Sequence, residues 1–539
     1  MNNKISNSIV KSFNNALFLQ NKGQFNDAIK IYKEICLADP ERFEFKLNLA
    51  TSLYAVGEIE QAVEIFHKLH ERFPENAVVL ASCSACYADL GHYEIALNFL
   101  KLLIKIDPNN ITAWLNMTYI CSILNKNEDA LYYATQALSL NPNEPKLFNN
   151  MGSALQNYHR YEDSLICYDT ALKLDPNNFL ALTNTATVYD KLGQYEHSIE
   201  IFENSLKLLD TESDEYRITC YRMSFPLLAI GELKKGWEYY EFGFAAGEGR
   251  GRRPNRIFDK PEWSGQNIMN KTLLIWREQG IGDELWFYSL LYEVEKYCVN
   301  IIVECEKRLV TLLQRSFKNI RFREEPNPLN FSSATSDDFD FQIPAGTLFK
   351  LFRSNINYFP KSSGYLITDP NSDKVFKDAL LPYSEKLLIG ISWRSGLLDS
   401  TRNINYVPLS AWAEILSLEN IQFVNLQYGD TSQELLLLKD NFDIELLNFD
   451  TLDIKNDIDS LSSLVTNLDL VISTSTFAAP LTQALGKPLK LLTHKNWTYL
   501  GQSKWPWYDN VDTYSPSSLL TPIDSVFNKL IDDLRTIKK

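Results

Sequence analysis

The sequence is poor in what several protein classes require. Of 539 residues only 8 are cysteine and 6 histidine, and 53 lysines and arginines face 68 aspartates and glutamates, a formal charge of -15. A surface made for the phosphate backbone of nucleic acid or for an anionic membrane needs the opposite balance, so the composition argues against both partners. No run approaches the roughly 20 apolar residues that span a bilayer. The opening MNNKISNSIVKSFNNALFLQ also lacks the charged-then-apolar layout of a secretory signal. The cysteines are scattered, and their one C-x-x-C pair, Cys83 and Cys86, has no second pair to complete a zinc site. A cytoplasmic protein with reduced thiols is expected. Hydrophobic residues at 45% and charged residues at 22% are ordinary for folded chains, and the length calls for two or three folded units.

What the sequence does have is a period. Pro40, Pro74, Pro108, Pro142 and Pro176 follow one another at 34 residues, and the same step carries Gly23, Gly57, Gly91 and later Gly193. Between glycine and proline one register holds a small residue (Ala28, Ala62, Ala96, Ala130, Ser164, Ser198), and four residues on comes a bulky one (Tyr32, Phe66, Leu100, Tyr168, Phe202). Glycine lets the chain turn between two helices, the small residue lets them approach, and proline ends the second. This pattern resembles tetratricopeptide repeats. Six fit residues 9–212, and a seventh, slipped by a few residues, falls around Gly231, Gly236 and Tyr240, so an α-solenoid over residues 1–245 is expected. Asn125 and His159 replace the turn glycine and are expected to use left-handed or altered turns.

A second register repeats as well. The sixth position of the first helix is Asn14, Asn48, Asn116, Asn150 and Asn184, with Ser82 in the third repeat. Asparagine is a mediocre helix former, so propensity does not explain its recurrence. An amide offers both donor and acceptor and can pair with the backbone of an extended peptide; the alternative is that these amides satisfy neighbouring helices. The ladder resembles the solenoid of O-linked N-acetylglucosamine transferases, which implies an acceptor protein or peptide held in the repeat groove.

GEGRGRRPNR (Gly247 to Arg256) breaks the period, and residues 246–268 read as a linker or extended strap. Its arginines, Arg250, Arg252, Arg253 and Arg256, are either solvated or a clasp for phosphate or an acidic acceptor. Beyond it, β-prone runs alternate with helical ones. KTLLIW (Lys271 to Trp276), IIVEC (Ile301 to Cys305) and FDFQIPAG (Phe339 to Gly346) form one series. LLIGISW (Leu387 to Trp393), FVNLQYGD (Phe423 to Asp430), LDLVIST (Leu468 to Thr474) and LKLLT (Leu489 to Thr493) form another. Two Rossmann-like α/β lobes, residues 269–380 and 381–539, are expected to face a cleft.

WREQGIGDELWF, GISWRSG, LQYGD, LDLVISTSTFAAPLTQALGKP and WPWY, in this order and behind repeats, resemble the GT-B glycosyltransferases fused to tetratricopeptide repeats. These are relatives of heptosyltransferases and of O-linked N-acetylglucosamine transferases, and some repeat-fused members modify flagellin. The resemblance covers nearly the whole chain. It implies transfer of a sugar from a nucleotide-sugar to Ser or Thr hydroxyls of a protein, flagellin among the candidates, with the donor held by the second lobe and the base supplied by the first. Neither a cofactor nor a metal is expected.

Such chemistry needs a base, positive potential for the departing phosphate and a nucleotide pocket. The base is expected to be Asp283, matched by motif to the aspartate in the glycine loop of heptosyltransferases, with Glu278 and Glu284 as rivals; the alternative for Asp283 is a helix cap. Gly280 and Gly282 shape that loop. Arg394, and secondarily Arg402, are placed to meet the leaving phosphate, with an ion pair as the alternative for Arg394. Ser392 ends a strand, Ser473, Thr474, Ser475 and Thr476 lie between a strand end and a helix start that favours an anion, and Gln427 and Tyr428, with Asp430 beyond them, end another strand. Relatives often carry histidine where this chain has Ala478, Ala479 and Pro480. Asp338-Phe339-Asp340 and Asp457-Ile458-Asp459 spell the D-x-D metal motif of the other glycosyltransferase fold, which nothing else in the sequence supports. Two other outcomes stay open: a catalytically inactive peptide-binding scaffold, and a heptosyltransferase-like enzyme acting on a glycolipid.

Overall fold

Residues 2–246, 252, 256, 258–326, 338–359, 364–395 and 406–537 are described by a computed structural model. The chain divides into two compact units, Met1–Asn184 and Thr185–Lys539.

The repeat period becomes helix pairs: α1 (Asn2–Asn21) with α2 (Phe25–Ala38), α3 (Phe43–Ala55) with α4 (Ile59–Arg72), and α5 (Ala77–Asp89) with α6 (Tyr93–Ile106). Then come α7 (Ile111–Ile123) with α8 (Asn127–Leu140), α9 (Pro145–Asn157) with α10 (Tyr161–Leu174), and α11 (Phe179–Lys191) with α12 (Tyr195–Leu206). The small register is fully buried at Ala28, Ala62, Ala96, Ala130 and Ser164, with Tyr32, Phe66, Leu100 and Tyr168 buried beside it. Close approach is enforced at Gly152, where a Cβ would lie 2.5 Å from the Tyr168 ring. Of the two turns open to them, Asn125 (φ 56°) and His159 (φ 58°) take the left-handed one that glycine takes elsewhere.

In the second unit, α13 (Asp214–Ala229) and α14 (Leu233–Tyr240) form the slipped seventh pair, turning at Gly231 (φ 89°). Two parallel sheets follow. The first contains β1 (Thr272–Trp276), β2 (Asn300–Cys305), β3 (Ile320–Glu324) and β4 (Phe341–Pro344) in the order β3-β2-β1-β4. The second contains β5 (Leu387–Ser392), β6 (Ile421–Asn425), β7 (Leu470–Thr474), β8 (Leu489–Leu492) and β9 (Val511–Tyr514) in the order β6-β5-β7-β8-β9. Helices α15 (Ile281–Tyr288), α16 (Leu291–Val294), α17 (Val310–Ser316) and α18 (Thr347–Phe352) belong to the first series. To the second belong α19 (Pro370–Leu380), α20 (Ala413–Leu416), α21 (Ser432–Phe442), α22 (Ile458–Thr466), α23 (Ala478–Ala484) and α24 (Phe527–Thr536). The expected architecture, a helical solenoid followed by parallel α/β structure, is what the chain adopts.

One apolar core joins these parts of the second unit, running from Leu273 and Val303 of the first sheet to Val471 and Leu491 of the second. The last repeat is built into it: Trp237 packs on Phe349 and Trp497 at ring distances of 5.2 and 6.3 Å, and its indole N–H donates to the Arg353 carbonyl at 3.0 Å. The strap is bound as well. Gln342 of β4 donates its backbone N–H to Pro261, and Trp263 donates back to Gln342. Contrary to the solvated alternative for the arginine run, Arg252 and Arg256 are buried, the first against Glu278 and the second against Glu304. An arginine fork that meets a carboxylate and lies on the rings of Tyr240 and Phe244, as Arg252 does, needs no solvent to carry its charge. Arg250 and Arg253 lie outside the described residues.

Candidate functional site

In open parallel sheets a ligand crevice forms beyond the carboxyl ends of the strands, where the strand order reverses. In the second sheet that point lies between β5 and β7, whose register ends on the pair Ser392 with Ser473. Their hydroxyls converge on Thr476, whose Oγ1 lies 3.0 Å from each. Gln427 braces the same place. Its Oε1 accepts from the Ser392 hydroxyl at 3.3 Å and from the backbone N–H groups of Trp393 and Arg394 at 3.0 and 2.9 Å. Thr474 is fully buried, and its hydroxyl has no partner among the described residues. Ser475 is exposed and donates to Thr493 Oγ1 at 3.0 Å, tying the loop after β7 to the loop after β8.

Arg394 stands at the edge of this cluster in the ion pair that was its alternative. Its Nε donates to both carboxylate oxygens of Glu434, at 3.0 and 2.9 Å, and its Nη2 to Glu434 and to the Asp430 carbonyl. Hydrogen bonding to Glu434 raises the guanidinium pKa, so its charge is secure. Tyr428 Oη lies 3.3 Å from the Ser395 hydroxyl. Arg402 lies outside the described residues.

The loop after β1 and the first turn of α15 carry the carboxylate candidates, and they separate by burial. Glu278 is fully buried; its oxygens accept from Arg252 and from the Gly346 N–H. Glu284 is equally buried and accepts from Arg277, Tyr288 and the Glu306 N–H at 2.6, 3.1 and 2.9 Å. Burial pushes its carboxyl up to about 7, with the Arg277 charge pulling the other way. Asp283 is only half-buried and accepts from the Gly280 N–H at 3.1 Å, the geometry of a helix cap. Ahead of it, Gln279 takes a left-handed φ of 62°, a conformation that costs a non-glycine residue energy and often marks functional loops. Gly282 meets the second lobe: a Cβ there would lie 3.3 Å from Pro480 Cγ, at the start of α23. The Asp283 loop therefore sits within a few residues of the Ser475-Thr476 turn, a juxtaposition no local motif announces.

The asparagine register divides. Asn14 and Asn116 are exposed, while Asn48, Asn150 and Asn184 are half-buried. Asn184 donates to Asn149 Oδ1 at 3.0 Å, bridging two repeats, and Asn48 donates back to the Glu44 carbonyl at 2.7 Å. Both D-x-D sequences have structural partners. Asp338 pairs with Arg323, Asp340 accepts the Thr272 N–H, Asp457 caps α22, and Asp459 pairs with both Nη atoms of Arg315. Glu434 and the Arg252–Glu278 pair went unforeseen, because partners 40 and 26 positions apart leave no local signal.

The helical part thus has the class its period implied, tetratricopeptide repeats: models of that repeat match residues 53–118, 145–178 and 167–200. Among curated proteins the chain is similar to Protein FlbA of Caulobacter vibrioides, 31% identical over 304 residues, covering 53% of this chain and 50% of FlbA. The chain thus spans about half the length of that relative. Among solved structures it is similar to a tetratricopeptide repeat protein from Parabacteroides merdae, with TM-score 0.40 and 16% identity over 44% of this chain and 91% of the other. It is also similar to MamA from Desulfovibrio magneticus RS-1, with TM-score 0.29 and 16% identity over 31% and 93%. Among the described residues no helix is long and apolar enough to cross a membrane.

Proposed function

We propose that the second unit is a GT-B glycosyltransferase that moves a sugar from a nucleotide-sugar to Ser or Thr hydroxyls of a protein bound by the repeats, a flagellin being one candidate acceptor. The observation that carries this reading is the meeting of two elements. The hydroxyl cluster of Ser392, Ser473 and Thr476 ends the second sheet at its order reversal, and the Gly282–Pro480 approach brings the Asp283 loop beside it. Hydroxyls that meet at Thr476 and otherwise bond to the Gln427 amide oxygen and the Thr474 carbonyl can turn to donate to phosphate oxygens, and the half-buried Asp283 carboxylate can take a proton from an acceptor hydroxyl. Gly280 and Gly282 shape that loop, Gln427 and Tyr428 line the neighbouring strand end, and Arg394 lies at its edge. Asn14, Asn116 and Asn150 are the ladder amides best placed to meet a peptide, since Asn48 and Asn184 already bond within the repeats.

The test is Asp283→Asn, assayed with nucleotide-sugar and acceptor protein. Asparagine keeps the cap but not the proton acceptor, so donor affinity should hold while transfer falls by roughly 10² to 10⁴-fold. Unchanged transfer would remove Asp283 from the chemistry. One observation favours a second reading, an inactive scaffold: Arg394, Glu278 and Glu284 are each paired within the chain. Absence of both nucleotide binding and donor hydrolysis in the full-length protein would establish it.

A further inference from the structure

A cavity of about 440 Å³ opens in the second unit between the α11–α12 turn and the loops that follow β8 and β9. Its floor is apolar, formed by Leu192, Ile230 and Pro516, and its wall carries Lys191, Lys495 and the hydroxyls of Ser517 and Ser518. His494 lies in the wall too. Burial lowers its pKa, so it adds no charge at neutral pH. Both lysines are exposed, and among the described residues neither ammonium lies in an ion pair; Lys495 sits 5.8 Å from the Tyr499 ring instead. The one acidic side chain in the lining, Glu196, is exposed at the rim. In a chain of net charge -15, two ammoniums outside any ion pair against one lining carboxylate give this pocket a positive balance, although the Lys191 charge also acts on the neighbouring Asp190.

The sheet order sets a scale for the separation of this pocket from the hydroxyl cluster, beside which the acceptor hydroxyl would react. The cluster ends β7, the pocket lies beyond β8 and β9, and the Ser475–Thr493 hydrogen bond joins the two loops. With strands about 4.8 Å apart, the end of β9 lies roughly 10 Å from that of β7, a distance that about three residues of extended chain cover.

We propose that this pocket is an acceptor subsite that takes an acidic side chain, aspartate or glutamate, about three residues from the modified hydroxyl, with a neighbouring apolar residue on the Leu192–Ile230 floor. The assignment rests on the reading of the second unit as a protein-modifying transferase. The pocket's chemistry is set by its own residues: solvent-facing ammoniums at the wall, hydroxyl donors beside them and apolar side chains below.

The experiment uses the full chain without any nucleotide-sugar, so it reads recognition apart from transfer. Fluorescent nonapeptides carry a central serine and, three residues away, glutamate, glutamine or lysine, and binding is followed by anisotropy. The glutamate peptide should bind tighter than the glutamine one by roughly fivefold, the upper end for solvent-facing ammoniums, with the difference shrinking as salt rises. In Lys191→Glu/Lys495→Glu, two exposed changes whose folding is checked by an unchanged Tm, the preference should pass to the lysine peptide. Equal binding of the glutamate and glutamine peptides, no binding of either, or a preference that survives the charge reversal overturns the proposal. A preference for glutamate in a protein that transfers no sugar overturns the transferase reading and leaves the acidic-peptide site standing.

Discussion

The two sheets of the second unit reverse their strand order at equivalent places and fill those places with opposite chemistry. Between β1 and β4 the crevice is closed by charge: Arg252 enters from the strap, pairs with Glu278, and lies 2.9 Å from Thr347 Oγ1, while Glu278 also takes the Gly346 N–H. Between β5 and β7 the side chains are neutral: Ser392, Ser473, Thr476 and Gln427. A crevice that holds its own guanidinium has no vacancy for an anion's partner, whereas neutral hydroxyls, which rotate freely about their C–O bonds, can be redirected to one. The same fold rule therefore gives one lobe a structural plug and the other a candidate ligand site.

Breaking the plug should have the largest effect. Arg252→Ala leaves the fully buried Glu278 with the Gly346 N–H and no cation beside it, a change expected to cost about 3 to 5 kcal/mol. Urea unfolding of the full chain should show the second unit melting well below wild type. Adding Glu278→Gln to Arg252→Ala should recover part of the loss, because the orphaned charge is gone. An Arg252→Ala protein as stable as wild type would mean that the strap does not hold the first lobe together.

The next effect sharpens the contrast through pH. Burial raises the Glu284 carboxyl from its ordinary 4.5 to about 7, so the fold favours the protonated form. That contribution is complete below about pH 4.5 and is lost as pH rises through about 7; the rise corresponds to at most ~3 kcal/mol. Glu284→Gln is neutral throughout, and Arg277 keeps Glu325 at 2.7 Å as its charged partner. The Tm of the variant minus that of wild type should therefore grow by several degrees between pH 5 and pH 8. A difference that stays flat across that range would show that Glu284 is ionised at no cost inside the fold.

How much of this was legible in the sequence follows from how local each feature is. The repeats were readable because each glycine, alanine and proline acts on its own turn, and Asn125 and His159 keep the left-handed turn in glycine's place. Seven strands were readable as apolar runs, but β3 and β9 were not. Both are edge strands, IRFRE broken by arginines and VDTY only four residues long, so neither needs a continuous apolar run. At the candidate site the residue types were legible and their partners were not. Arg394 looked free to meet phosphate until Glu434 was found on it, and Glu278 looked like a base until Arg252 closed over it. The arginine run looked like solvated linker because nothing nearby in sequence could neutralise it. Its carboxylates, Glu278 and Glu304, come from the ends of β1 and β2.

The smallest expected effect tests the neutral crevice itself. Thr476→Val keeps the shape of the side chain and removes the one hydroxyl shared by Ser392 and Ser473. Each of those has a second partner, Gln427 Oε1 at 3.3 Å and the Thr474 carbonyl at 2.7 Å, so neither is orphaned. The loss of stability should therefore stay near 1 kcal/mol, a shift of a few degrees in Tm without nucleotide. If the hydroxyl also serves a phosphate, affinity for a nucleotide should fall about tenfold, equivalent to ~1.4 kcal/mol. The two contributions separate in a thermal-shift series with UDP, GDP and CMP, since only a ligand that binds the folded state adds to Tm. A purely structural threonine lowers the starting Tm and leaves the nucleotide-induced increment as it was, and that result would return the crevice between β5 and β7 to the same standing as the plugged one between β1 and β4.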